Sequence, residues 1–324
     1  MTVRALLGAA LLALAGCGAD DRGTTRRAAG TDAAYPPIGR LVDVGDGRQV
    51  HAYVTGSGPD VVLIHGASGN VRDWTFRVAD RLSDRYRVIA LDRPGLGYTD
   101  RAGPSYEGAF TARAESPAVQ AEMLSQAARA LGAERPLVVG HSYGGAVAMA
   151  WGLDRPAAGL VVVSGATMPW PGGLGPQYAV LGSSVGGAVL APAISAVAGR
   201  GIVDRAVQVI FAPQPVPEGY VDHLGVALTL RPPTLRANAR QINTLRPHVV
   251  EMSRRYPTLD LPVEIVHGDA DEIVPPDIHA RPLAEVLPDA RLTMLPGIGH
   301  MPHQVAPDAV VAAIDRAARR AGLR

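Results

Sequence analysis

The 324-residue chain has a single cysteine, Cys17, so neither a disulfide framework nor a cluster of thiolate metal ligands can be built from it. Lysine is absent: all 31 basic residues are arginine, balanced by 30 acidic ones, and they never run longer than a pair. A phosphate-tracking surface has nothing to stand on, and nucleic acid is excluded as a partner class. Long hydrophobic runs are also missing. The apolar stretch 5–15 is about half of the ~20 residues a spanning helix needs. The charge-free stretch 156–199 is interrupted by Gly, Ser and Pro. Its segment 179–199 therefore reads as a buried or substrate-facing helical element, not a membrane span. What is present is core material, with 47% hydrophobic and 19% charged residues, enough for one large domain or two ordinary ones.

The N-terminus has the three parts of a secretory signal: Arg4, a short apolar run, then small residues up to a boundary. Its end, Leu14-Ala15-Gly16-Cys17, resembles the lipobox of bacterial lipoproteins. The resemblance implies removal of residues 1–16 and acylation of the Cys17 thiol. The protein would then be held to membrane lipid by acyl chains, on the extracytoplasmic side of the cell envelope. An ordinary signal peptide containing a cysteine is the plainer alternative. Residues 17–37 are small and polar, and read as a tether.

From residue 38 onward short apolar runs alternate with helical stretches. The runs fall at 50–54, 61–65, 88–91, 137–140, 160–164, 263–267 and 292–295; the helices at 73–84, 115–132, 143–153 and 307–322. Such alternation predicts an α/β fold with a mostly parallel sheet. It stops over 167–256, which reads as a helical cap inserted between two core segments, 38–166 and 257–324.

The sharpest chemical signal is Gly140-His141-Ser142-Tyr143-Gly144, where a strand runs directly into a helix. A turn this tight strains the backbone at Ser142, needs glycine on both sides, and aims the hydroxyl at a helix N-terminus. With this context the chain resembles the α/β-hydrolase fold family over about residues 38–320, which implies a mainly eight-stranded sheet. Three further segments match. His65-Gly66-Ala67-Ser68-Gly69, followed by Trp74, is similar to the family's oxyanion loop, and implies that the backbone N–H groups of Ala67 and Tyr143 form the oxyanion hole. Asp92-Arg93-Pro94-Gly95-Leu96-Gly97-Tyr98 is similar to a structural loop in which the last position is usually Ser. Gly268-Asp269-Ala270-Asp271, with Gly297-Ile298-Gly299-His300 beyond it, resembles the loops that carry the family's acid and base.

The implied triad is Ser142, Asp271 and His300, in the chain order this fold uses. Asp269 competes with Asp271 for the acid, and His303 with His300 for the base; His303 is expected at the surface or behind the site. His65 and His141 are expected to have structural or pocket roles. His51, His223, His248, His267 and His279 are expected to have no part in the site. Serine at 142 argues against relatives that open epoxides or displace halide, which place aspartate there. The resemblance implies a serine hydrolase acting on an ester or similar small acyl substrate, without metal or cofactor, and the uncharged stretch of the cap suggests that the substrate is largely apolar. An acyltransferase, a carbon–carbon bond or lactone hydrolase, and a non-catalytic binding module are the alternatives. Oligomeric state is unmarked.

Overall fold

The computed structural model describes residues 30–173 and 175–324. The signal segment and Cys17 lie outside the described residues. Residues up to Pro36 and residues from Pro37 onward form two separate units. In the first, the Tyr35 N–H closes a short helical turn on the Thr31 carbonyl.

The second unit is built on one eight-stranded sheet in the order β1-β2-β4-β3-β5-β6-β7-β8. The strands are β1 (Arg40–Asp43), β2 (Gln49–Thr55), β3 (Asp60–Ile64), β4 (Arg87–Leu91), β5 (Leu137–His141), β6 (Gly159–Val163), β7 (Val263–Gly268) and β8 (Ala290–Leu295). β1 and β2 are antiparallel to their neighbours, and the other pairings are parallel. The parallel strands are apolar on both faces because helices cover both. On one face Val62, Ile64, Val138, Leu160 and Val162 share a core with helices α3 (Pro117–Ala130) and α4 (Tyr143–Asp154). On the other, Val61, Leu63, Leu137, Val139, Val161 and Val163 pack against α1 (Val71–Thr75), α2 (Ala79–Leu82) and the last long helix. Each such side chain, taken fully out of water, contributes about 1.5–3 kcal/mol.

Register sets up the site. Ile64 pairs with Gly140, so His65 and Gly66 leave β3 beside His141 and Ser142 leaving β5. Between β6 and β7 lie α5 (Pro176–Gly182), α6 (Ser184–Val197), α7 (Arg200–Phe211), α8 (Tyr220–Leu224), α9 (Val226–Thr229) and α10 (Pro232–Ser253). After β7 come α11 (Ala280–Val286), α12 (Pro302–Val305) and α13 (Pro307–Arg320).

Among the described residues no single helix is long and apolar enough to cross a membrane. The charge-free stretch breaks at Ser183, where α5 and α6 meet at 101°. It is less buried than the sequence suggests: only Gly187 and Ala191 of α6 are buried, and Val185 and Val197 stand in solvent.

Candidate active site

Ser142 sits at the turn between β5 and α4 with φ 53° and ψ −118°, a strained conformation for a residue with a side chain. Its neighbours explain why the turn is glycine-lined. A Cβ at position 140 would overlap the Gly144 carbonyl, and one at 144 would overlap the carbonyls of Ile64 and His65. The turn points the Ser142 hydroxyl at His300: Oγ lies 3.0 Å from Nε2. The other ring nitrogen, Nδ1, is 2.8 Å from Asp271 Oδ2. Ser142 is 9% exposed, His300 4% and Asp271 3%. The Ser–His–Asp chain is therefore nearly dry, with Ser142 its most exposed member.

Asp271 is held from all sides. The Ile273 and Val274 N–H groups donate to Oδ1, at 2.9 and 2.8 Å. His267 Nε2 lies 3.2 Å from Oδ2 and donates to the Val274 carbonyl at 2.8 Å. Burial pushes the carboxyl pKa up, but the hydrogen bonds from His267 and His300 outweigh it and hold the group well below the usual carboxylate range. Asp269 does something else: its Oδ1 accepts from the Gly297 N–H at 2.6 Å, at the start of the loop that ends in His300. His267 was not expected to take part; its one sequence signal is its position four residues before Asp271.

The loop after β3 lies against Ser142. A Cβ on Gly66 would be 3.1 Å from Ser142 Cβ, so glycine lets the backbone approach. Ala67 follows, then Ser68 with φ 59°. This bend is pinned by residues the sequence did not mark. The Ser68 N–H donates to Asn238 Oδ1 at 2.8 Å, Asn238 Nδ2 donates to Ser68 Oγ at 2.9 Å, and Thr229 Oγ1 donates to the Ser68 carbonyl at 2.7 Å. Both come from the segment between β6 and β7. Gln214 acts likewise on the His300 loop, donating to the Gly297 carbonyl and accepting from the Gly299 N–H.

Tyr143 opens α4, with its backbone N–H at the helix N-terminus. Its ring lies 3.8 Å from the Arg93 guanidinium, and its hydroxyl accepts from Gln120. Burial pushes that hydroxyl up to about 12, so it stays neutral. Arg93 is itself buried and donates to the Gly66 carbonyl at 3.0 Å, linking the loop after β3 to the Tyr143 ring. Asp92 is structural, accepting from the Val71 and Tyr98 N–H groups and from His51 Nδ1. Tyr98, standing where serine is usual, packs its ring edge-on to His51.

Behind the triad is a second buried group. Asp73 Oδ2 accepts from His303 Nε2 at 3.0 Å, and Oδ1 accepts from the Tyr220 hydroxyl at 2.8 Å and Gln304 Nε2 at 2.9 Å. Burial raises the Asp73 pKa, but His303, His141 and Tyr220 together pull it well below its ordinary value. His303 is fully buried, so the reading that places it behind the site holds and the surface one does not. Asp73, His141 and His303 each present a ligand atom within 4.8 Å of the others, and of the described residues these are the three that could hold a metal ion. The Asp73 carboxylate already accepts three hydrogen bonds, from His303, Tyr220 and Gln304.

The sequence profile described as the alpha/beta hydrolase family matches residues 61–313. The chain belongs to the alpha/beta hydrolase family. An uncharacterised protein of Mycobacterium tuberculosis is 29% identical to this hydrolase over 289 residues, covering 83% of this chain and 79% of its own length. Haloalkane dehalogenase 2 of the same organism is 27% identical over 298 residues, covering 86% and 94%. A thermophilic esterase from Thermogutta terrifontis has a similar structure, with a TM-score of 0.66, 21% identity, and 87% and 98% of the two chains covered. That structural likeness shows the shared fold.

Proposed function

We propose that this hydrolase cleaves a carboxylic ester of a small, largely apolar acid or alcohol by way of an acyl-enzyme on Ser142. The observation that carries this is the continuous chain from Asp271 through His300 to the Ser142 hydroxyl at the strained turn. In this reading His300 Nε2 takes the serine proton as Oγ attacks the carbonyl carbon, while Asp271 fixes the tautomer and stabilises the imidazolium. The oxyanion is received by the N–H groups of Ala67 and Tyr143, each typically worth about 2.7–4 kcal/mol to the transition state. His300 then returns the proton to the leaving alcohol. Water, deprotonated by the same nitrogen, releases the acid and frees the serine. A hydroxyl at position 142 also bears on the choice among relatives: displacement of halide by a carboxylate has no group here to carry it.

The sequence Leu14-Ala15-Gly16-Cys17 supports attachment to membrane lipid through Cys17, outside the cytoplasm. Incorporation of labelled fatty acid in the wild type and its loss in Cys17→Ser tests that attachment.

Activity is tested with p-nitrophenyl esters from acetate to decanoate, with Ser142→Ala in parallel. Hydrolysis in the wild type falling by about 10⁴-fold or more in the variant is expected. Equal rates in the two proteins would remove Ser142 from the mechanism.

A further inference from the structure

Three arginines gather where α10 rests on the loop after β4. Arg101 comes from that loop, and Arg236 and Arg240 lie one turn apart on α10. The positions are tied by contact. A Cβ at Gly187 of α6 would lie 3.4 Å from Arg236 Cγ and 3.5 Å from Arg240 Nη2. One at Gly95 would meet both the Arg101 side chain and Ala237 on α10.

Glu115 is the acidic group that acts on this cluster, and it is already committed. Arg101 donates to it through Nε and Nη2, at 2.6 and 2.8 Å, in a forked pair. The Ala102 N–H and Gln241 Nε2 also donate to the same carboxylate. Arg240 is left with backbone carbonyls, those of Gly108 at 3.3 Å and Ala109 at 2.6 Å. It is 1% exposed, and its buried Nε–H has no acceptor. Arg236, half-buried beside it, makes no hydrogen bond or ion pair with any described residue. Burial and repulsion from Arg101 lower the pKa of both, Arg240 to about 10 with a further contribution from Arg236.

A buried guanidinium beside a half-buried one, neither paired directly with a carboxylate, is costly to keep, since charge taken from water is normally repaid by a partner. Forked N–H donors that lack one match an oxyanion in geometry as well as charge. We propose that Arg236 and Arg240, with Arg101 beside them, bind an oxyanion of the phosphate or carboxylate class at the junction of α6, α10 and the loop after β4. None of the three belongs to the triad, so the site stands independently of the ester reading.

The test uses the full-length protein in chloride buffer at constant ionic strength, titrated with inorganic phosphate and separately with succinate. Thermal unfolding and calorimetry are the readouts. A saturable rise in Tm is expected, with binding about tenfold or more weaker in Arg236→Gln and in Arg240→Gln. Arg254→Gln, an exposed arginine just past the end of α10, should bind as the wild type does. A response to phosphate alone identifies a phosphoryl ligand, and a response to succinate identifies a carboxylate. An equal response in wild type and both variants would reduce the effect to general salt stabilisation and overturn the proposal, as would no response to either anion. If Arg240→Gln does not fold, the half-buried Arg236→Gln decides alone, because nothing in the fold depends on its charge.

Discussion

His141 Nε2 lies 3.0 Å from the carbonyl oxygen of His300, so the residue just before Ser142 holds the backbone of His300. A carbonyl only accepts, so His141 must carry its proton on Nε2. Burial, with His303 and His300 nearby, pushes its pKa well below the ordinary value and keeps it neutral. Its two rings of contact, His300 at 5.0 Å and His303 at 4.1 Å, fix it between the triad and the Asp73 group. Replacing His141 with Phe should lower kcat by about 10- to 10²-fold with little change in KM, because the base loses its positioning bond. His141→Gln, which can still donate, should recover most of that loss. Steady-state kinetics with a chromogenic ester checks it, and equal losses in the two variants would mean that the bond does not position His300.

Asp271 and Asp269 should separate cleanly. Asp271→Asn removes the acceptor that fixes the His300 tautomer, and should lower kcat by about 10⁴-fold. Asp269→Ala loses the exposed acceptor of the Gly297 N–H, and should cost about 1 kcal/mol of stability while leaving kcat within a few-fold. Comparing the two kcat values is sufficient. A larger loss at 269 would reassign the acid.

The clasp on Ser68 should matter for rate more than for folding. Asn238→Ala strips the Ser68 N–H of its acceptor and the Ser68 hydroxyl of its donor, loosening the turn that follows Ala67. A fall in kcat of about tenfold is expected, with thermal stability reduced by about 1–3 kcal/mol. Thr229→Val should act in the same direction and less than additively, since both side chains hold one residue. Unchanged kcat in the double variant would show that the turn is rigid without them.

Stability should rise with pH between about 4 and 6.5. His65 and His279 are both lowered from 6.5 to about 4, His65 by burial and by Arg93, and His279 by burial and by His267. Below 6.5 the unfolded chain takes up protons that the folded chain refuses, so each of these histidines withdraws up to about 1.4 kcal/mol of stability per pH unit. Asp271 and Asp73 are shifted down, and their contribution is present at neutral pH. It is lost only as pH falls below the unfolded carboxylate value of about 3.9. Urea midpoints at pH 7.5, 6, 5 and 4 will show the histidine-driven loss first. A flat profile down to pH 4.5 would contradict the buried neutral histidines.

Much of the scaffold was legible because its signal is local. The apolar runs 61–65, 137–140 and 263–267 became β3, β5 and β7, since a parallel strand covered on both faces must be apolar throughout. Strand β1 left no such trace: of Arg40–Asp43 only Val42 is buried, and an edge strand needs little more than pairing. The stretch read as one helix over 73–84 divides into α1 and α2. Ser142, Asp271 and His300 could be located because each lies in a short motif. Asn238, Thr229 and Gln214 could not, because their roles depend on where the α5–α10 segment lands on loops 83–170 residues away. His267 is intermediate, close to Asp271 in sequence but given its role only by the turn between them.

The separation between Ser142 and His300 along the chain, 158 residues, has a consequence for synthesis. A polypeptide still emerging from the ribosome has its serine long before the imidazole that would arm it. Every fragment ending before residue 300 carries an ordinary alcohol at position 142. If Ser142 acts through His300 as proposed, the chain should gain reactivity only once the final strand and the loop after it have closed against the rest.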